Sequence, residues 1–178
     1  MAGENKKPKG RRAYLNDFLL NERGEYEYQG RLLHFEGTED EYRRTMRLSI
    51  EAVVLMAILI IVPEILPSVP MSRFPVSAVL WLVQLISAGL VVYSVWKMCR
   101  GRNPIREYVH KASVKRLPGQ TIVCAAASLA LAVEQTIYIL INGVKENAFF
   151  NIIRPAAAFV CAAAAYQFHL MIKRTEWN

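Results

Sequence analysis

Glu134, Gln135 and Arg154 stand inside otherwise apolar stretches, and Gln84 stands near the middle of another. A charged or amide side chain removed from water is costly unless it finds a partner, so such residues are functional candidates by default. Glu134 falls about two-thirds of the way through its apolar block, and Arg154 about two turns into the next. Asn142-Gly143 marks a short turn between the two blocks, which predicts antiparallel helices. At 1.5 Å per residue both charges then lie on the order of 10 Å below the same boundary. The spacing predicts a Glu134–Arg154 ion pair, which either locks the two helices together or forms a polar site for a ligand or proton. Glu64 and Arg73 fall at the same end of the first two blocks and would line an outward-facing pocket with Glu134, Gln135 and Arg154. Gln84, a mid-block amide, is expected to hydrogen-bond another helix.

At the other boundary, Glu51 enters about one turn into the first block, while Gln167 and His169 leave at the end of the fourth. Their matching depths predict a Glu51–His169 contact. It is the one acid–base pair on which an enzyme acting on lipids could rest. No HExxH, GxSxG, GxGxxG or phosphate-binding glycine loop occurs in the chain. Cys99, Cys124 and Cys161 have no CxxC spacing, and two of them lie in apolar blocks. They read as small packing residues rather than a disulfide framework or zinc site. His34 and His110 have no ligand spacing, and no cofactor is expected.

The elements that must position these residues follow from composition. The chain has 178 residues, 53% of them hydrophobic, with 22 basic and 15 acidic side chains and a formal charge of +7. That much apolar residue excludes a disordered chain. A mean hydropathy of +0.18 excludes a basic nucleic-acid-binding domain. The apolar residues gather into four blocks of bilayer-crossing length, at about 48–66, 74–95, 121–140 and 148–172. The fold class is therefore an all-α membrane protein with four transmembrane helices. No apolar core falls where a signal peptide would carry one, so the first span is expected to insert as a signal anchor.

Residues 1–38 form a polar N-terminal extension, and 39–178 the transmembrane domain. The extension opens with a basic tail over residues 1–12. Over 13–21, Leu15, Phe18 and Leu19 share a helical face, and Gly24 would end that helix. Over 25–35, Tyr26 and Tyr28 alternate with charge and predict a β-hairpin turning at Gln29-Gly30. Thr38 with Glu41 is a capping box, which starts one long helix near Glu39 that runs into the first span. Pro63, Pro67 and Pro70 are expected to end it.

The loop at 97–120 predicts an amphipathic interfacial helix starting at Asn103-Pro104. Ile105, Tyr108, Val109 and Ala112 form one face of it, and Pro118-Gly119 breaks it. Alanine stripes at 124–132 and 155–165 predict close packing of the third and fourth spans. The bulkier first and second spans are left to face lipid or a partner.

Ten basic residues precede the first span, seven lie between the second and third, and two follow the fourth. The two intervening loops hold one each, Arg73 and Lys145. Both termini and the long loop should therefore face the cytoplasm, in a bacterial inner membrane. The basic tail and loop would meet anionic headgroups, and nucleic acid is not an expected partner. Two functions compete. One is a non-catalytic accessory or regulatory subunit of a membrane complex, docking another membrane protein. The other is a small transporter or channel, homo-oligomeric because four spans are few to enclose a pathway, using the polar site around Glu134 and Arg154.

Overall fold

The computed structural model describes residues 17–21, 24–65, 75–101, 103–143 and 148–178. The basic tail, Leu15, Pro67, Pro70, Arg73 and Lys145 lie outside them. In chain order the elements are β1 (Phe18–Leu20), β2 (Tyr26–Tyr28), β3 (Leu32–Leu33), α1 (Glu39–Ile65), α2 (Pro75–Arg100), β4 (Ile105–Arg106), α3 (Glu107–Ala112), α4 (Leu117–Asn142) and α5 (Ala148–Lys173).

α1, α2, α4 and α5 contain 26 or 27 residues each, or roughly 40 Å of helix against a hydrocarbon core of about 30 Å. All four contain stretches long and apolar enough to cross a membrane, and the chain is a multi-pass membrane protein. Large apolar side chains such as Ile58, Val79, Ile86, Leu129 and Val160 point outward, as lipid-facing positions require.

α1 starts at the capping box. The Glu41 N–H donates to Thr38 Oγ1 at 3.2 Å, and the Thr38 N–H donates to Glu41 Oε2 at 2.9 Å. Each side chain thus satisfies a backbone donor that the first turn leaves unpaired. Pro63 does not end α1. It lies within the last turn, and the helix continues to Ile65.

The bundle closes in the order α1–α2–α4–α5, with α4 against α5 the most extensive interface. Small buried residues explain this. Ala125, Ser128 and Ala132 of α4 and Ala158, Cys161, Ala162 and Ala165 of α5 are all buried, Ser128 Oγ lies 3.5 Å from Cys161 Sγ, and side chains this small let two backbones approach closely. The larger core side chains Met56, Val91, Val95, Met98 and Phe168 pack around them. α1 meets α2 over the smallest of the four interfaces.

At the basic end of the bundle, short strands tie three parts of the chain together. β1 and β2 form an antiparallel hairpin in register Phe18↔Tyr28, Leu19↔Glu27 and Leu20↔Tyr26. It is closed by backbone hydrogen bonds between Asn21 and Gly24 and between Asn21 and Glu25, not at Gln29-Gly30. Asn21 Oδ1 accepts from the Glu25 N–H at 2.9 Å, and Gly24 takes φ 77°, which a side chain would strain. Phe18–Leu20 is therefore a strand, not part of a helix over 13–21. Cross-strand packing of Phe18 against Tyr28, with centroids 5.3 Å apart and rings tilted by 60°, contributes to its stability.

The segment after Gly30 does not return along β2. β3 pairs instead with β4 of the long loop, Leu32↔Arg106 and Leu33↔Ile105, which buries Leu33 and Ile105. Phe35 bridges to Trp177 of the C-terminal tail. The extended pair at Ile105–Arg106 also delays α3, which begins at Glu107 rather than at Asn103-Pro104. Pro118 and Gly119 do not interrupt a helix. They occupy the first turn of α4, where a missing N–H costs nothing.

Candidate intramembrane polar site

Arg154 lies in the second turn of α5 and is only 5% exposed. It points to the end of α1. Its Nη2 donates to Glu64 Oε2 at 2.8 Å, and its Nε donates to the Pro63 carbonyl at 3.3 Å. The local logic is that of a helix C-terminus. The last four carbonyls of α1 have no intrahelical donor, and the helix dipole places partial negative charge there. A guanidinium satisfies both, and Glu64 completes its neutralisation. The expected Glu134–Arg154 pair is replaced by this one.

Glu134 turns the other way, towards α2. One carboxyl oxygen accepts from Ser77 Oγ at 2.7 Å, while the other, Oε2, is buried and has no hydrogen-bond partner among the described residues. Gln135, 4% exposed, has its Oε1 in the same condition. Glu134 also lines an open groove of about 700 Å³ on the outward side of α4, whose other walls include Leu129, Ala130, Val133 and Ile137. A carboxyl thus borders an apolar surface that a single bundle does not cover.

Gln84 does bind another helix. Its Nε2 donates to Ser128 Oγ on α4 at 2.8 Å. Ser128 in turn donates to the Cys124 carbonyl at 2.8 Å and lies 3.5 Å from Cys161 Sγ. Nearer the basic end, Ser94 Oγ donates to Gln120 Oε1 at 2.7 Å. Together with Ser77–Glu134, these pairs make a polar ladder of three rungs along the α2–α4 interface. The serines were the missed part of the site. Ser77, Gln84, Ser87 and Ser94 all fall on the buried face of α2, and this helical periodicity was the signal available in the sequence.

Glu51 and His169 do not meet in the structure. Glu51 is exposed and pairs with Arg47 one turn back, at 2.8 Å. His169 Nδ1 is 2.9 Å from the Pro118 carbonyl and 3.5 Å from Thr121 Oγ1, so it anchors α5 to the start of α4. Cys124 and Cys161 are free and buried, and Cys99 is free and exposed. Among the described residues no three His, Cys, Asp or Glu side chains are grouped to hold a metal ion.

Outside the spans, Phe35, Tyr42 and Trp177 pack edge to face, with centroids 5.4–6.2 Å apart. Beside them, Glu36 is held above its ordinary value of 4.5 because its protonated carboxyl donates a hydrogen bond to the Glu176 carboxylate. No protein-family model, curated protein or solved structure matches the chain.

Proposed function

We propose that this chain is a small oligomeric transporter or channel that passes a proton or small cation by way of its intramembrane polar residues. The observation that carries this reading is the Arg154–Glu64 ion pair within the span-forming bundle. Buried ion pairs contribute little net stability compared with apolar residues of similar volume. Their presence in a membrane is better accounted for by function. Glu134, with one oxygen held by Ser77 and the other without a partner among the described residues, is the group on which a proton or cation would load. The core of one bundle is filled by side chains such as Met56, Val91 and Cys161. The pathway is therefore placed along the α4 groove beside Glu134, where a second copy would supply the missing wall. The excess of basic residues at the end that carries the termini supports a cytoplasmic orientation for that end.

The test is flux in vesicles reconstituted with the purified protein, using entrapped pH-sensitive and potassium-sensitive dyes. Wild type is expected to dissipate an imposed gradient, and Arg154→Gln to do so at least about tenfold more slowly, a loss of about 1.4 kcal/mol in the barrier.

A second reading is an accessory subunit of a membrane complex. The observation favouring it is the layer at the basic end, where β3, β4 and the C-terminal tail are joined by backbone pairing. Such a surface suits docking. Stoichiometric co-purification with another membrane protein, together with no flux from the chain alone, would favour it over transport.

A further inference from the structure

Where α2 leaves the bundle at its basic end, a cavity of about 550 Å³ opens between the last two turns of that helix and the β4–α3 segment. Its walls include Tyr93, Trp96, Lys97, Arg100, Arg106 and Tyr108, and among the described residues no acidic side chain lines it. Lys97, Arg100 and Arg106 form no ion pair among the described residues. Two of these cations are held by aromatic faces instead. The Arg100 guanidinium sits 5.4 Å from the centroid of Trp96. The Arg106 guanidinium sits 5.2 Å from Tyr28 and 5.7 Å from Phe18. Stacking of this kind fixes a guanidinium plane and leaves its N–H edges free to donate.

We propose that this cavity binds the phosphate of an anionic phospholipid headgroup. A phosphate oxyanion is the ligand that three cations lining one cavity, two of them arginine forks, are suited to take. The lipid source is favoured by position. Tyr93 and Trp96 are 55% and 54% exposed on the outer face of α2. They lie about 10 Å and 6 Å before its end at Arg100, where an aromatic belt meets the headgroup layer. The cationic part of the cavity follows immediately, at headgroup level. The same chain therefore offers the acyl region an aromatic wall and the phosphate a cationic one. This inference rests on the membrane-spanning architecture and is independent of transport.

The test is a titration of the detergent-solubilised full chain with fluorescently labelled phosphatidylglycerol. Phosphatidylcholine and inorganic phosphate serve as competitors. Saturable phosphatidylglycerol binding is expected, with neither competitor displacing it at matched concentration. At roughly fivefold in affinity per cation near an anionic surface, Lys97→Gln should weaken binding roughly fivefold and Arg100→Gln/Arg106→Gln roughly thirtyfold. Lys173→Gln/Arg174→Gln removes the same charge from the same end of the bundle but outside the cavity, and should leave binding within about twofold. Equal weakening in both double variants would overturn the proposal, because charge alone would then account for binding. Displacement by phosphatidylcholine or by inorganic phosphate would also overturn it. Lys97→Gln is the milder change, and its unaltered affinity would be contrary evidence even if the double variant did not assemble.

Discussion

Arg154 of α5 is paired with Glu64 of α1, Nη2 to Oε2 at 2.8 Å, at the end of the bundle opposite the termini. The contact joins the last helix to the first and closes the ring of four. Arg154 is nearly fully buried, whereas the Glu64 side chain keeps 30% of its surface open. The pair is therefore asymmetric. Most of the desolvation falls on the guanidinium, which the Pro63 carbonyl helps to satisfy.

This asymmetry fixes the order of effects in a double-mutant cycle. Glu64→Gln leaves a buried cation with weakened partners and is expected to lower stability by on the order of 1–3 kcal/mol, the open face of Glu64 placing it below a fully buried pair. Arg154→Gln leaves a partly solvated carboxylate and should cost less. Glu64→Gln/Arg154→Gln should recover part of the loss. Thermal melts in detergent would give the coupling. Strict additivity would show that the pair contributes nothing.

The ladder between α2 and α4 gives a second expectation. Ser128→Ala strands the buried Gln84 amide and should cost about 1 kcal/mol, the scale of hydrogen bonds between membrane helices. Gln84→Leu/Ser128→Ala removes both polar partners and should be near neutral. The check is unfolding in mixed micelles. A double variant much less stable than Ser128→Ala alone would contradict the assignment.

Some of this was legible in the residues. The spans, the Thr38–Glu41 box and the close α4–α5 packing each depend on local pattern or on residue size, which a sequence displays directly. Arg154's partner depends on which way two helix faces turn. Glu134 looked closest because only a short turn separates α4 from α5. Arg154, however, faces α1, and Glu134 faces Ser77 of α2, across opposite edges of the bundle. Periodicity places residues on a face but does not name the neighbouring helix. β3 presents the same difficulty. Its partner β4 lies more than seventy residues away along the chain, whereas hairpin signals reach only adjacent segments. Phe18–Leu20 fits a helical face as readily as a strand, and the hydrogen bonds of Asn21 with Gly24 and Glu25 decide between them.

The layer at the basic end should respond to pH through Glu36 and Glu176. Their carboxyl–carboxyl hydrogen bond requires a proton, and it raises Glu36 above 4.5 in the folded layer. Between 4.5 and the folded value, the folded layer binds more protons than the unfolded segment. Its stability must therefore fall as pH rises through that window. The change is small because Glu36 is exposed. Hydrogen exchange at the His34–Asn178 backbone pair, corrected for intrinsic rate, should be slowest below 4.5 and faster above the window. Glu176→Gln should flatten the profile. An unchanged profile would remove the carboxyl pair as its cause.

The most direct measurement for the intramembrane site is gradient dissipation in reconstituted vesicles by wild type, Glu134→Gln and Glu51→Gln. Glu134 has a buried carboxyl oxygen with no hydrogen-bond partner among the described residues, whereas Glu51 is an exposed carboxylate already paired with Arg47. The expected result is flux from wild type and Glu51→Gln, with at least about a hundredfold loss in Glu134→Gln, equivalent to about 2.7 kcal/mol, while the assembled state on size exclusion is unchanged. No flux from correctly assembled wild-type protein, or equal flux from all three, would contradict a transport role for Glu134.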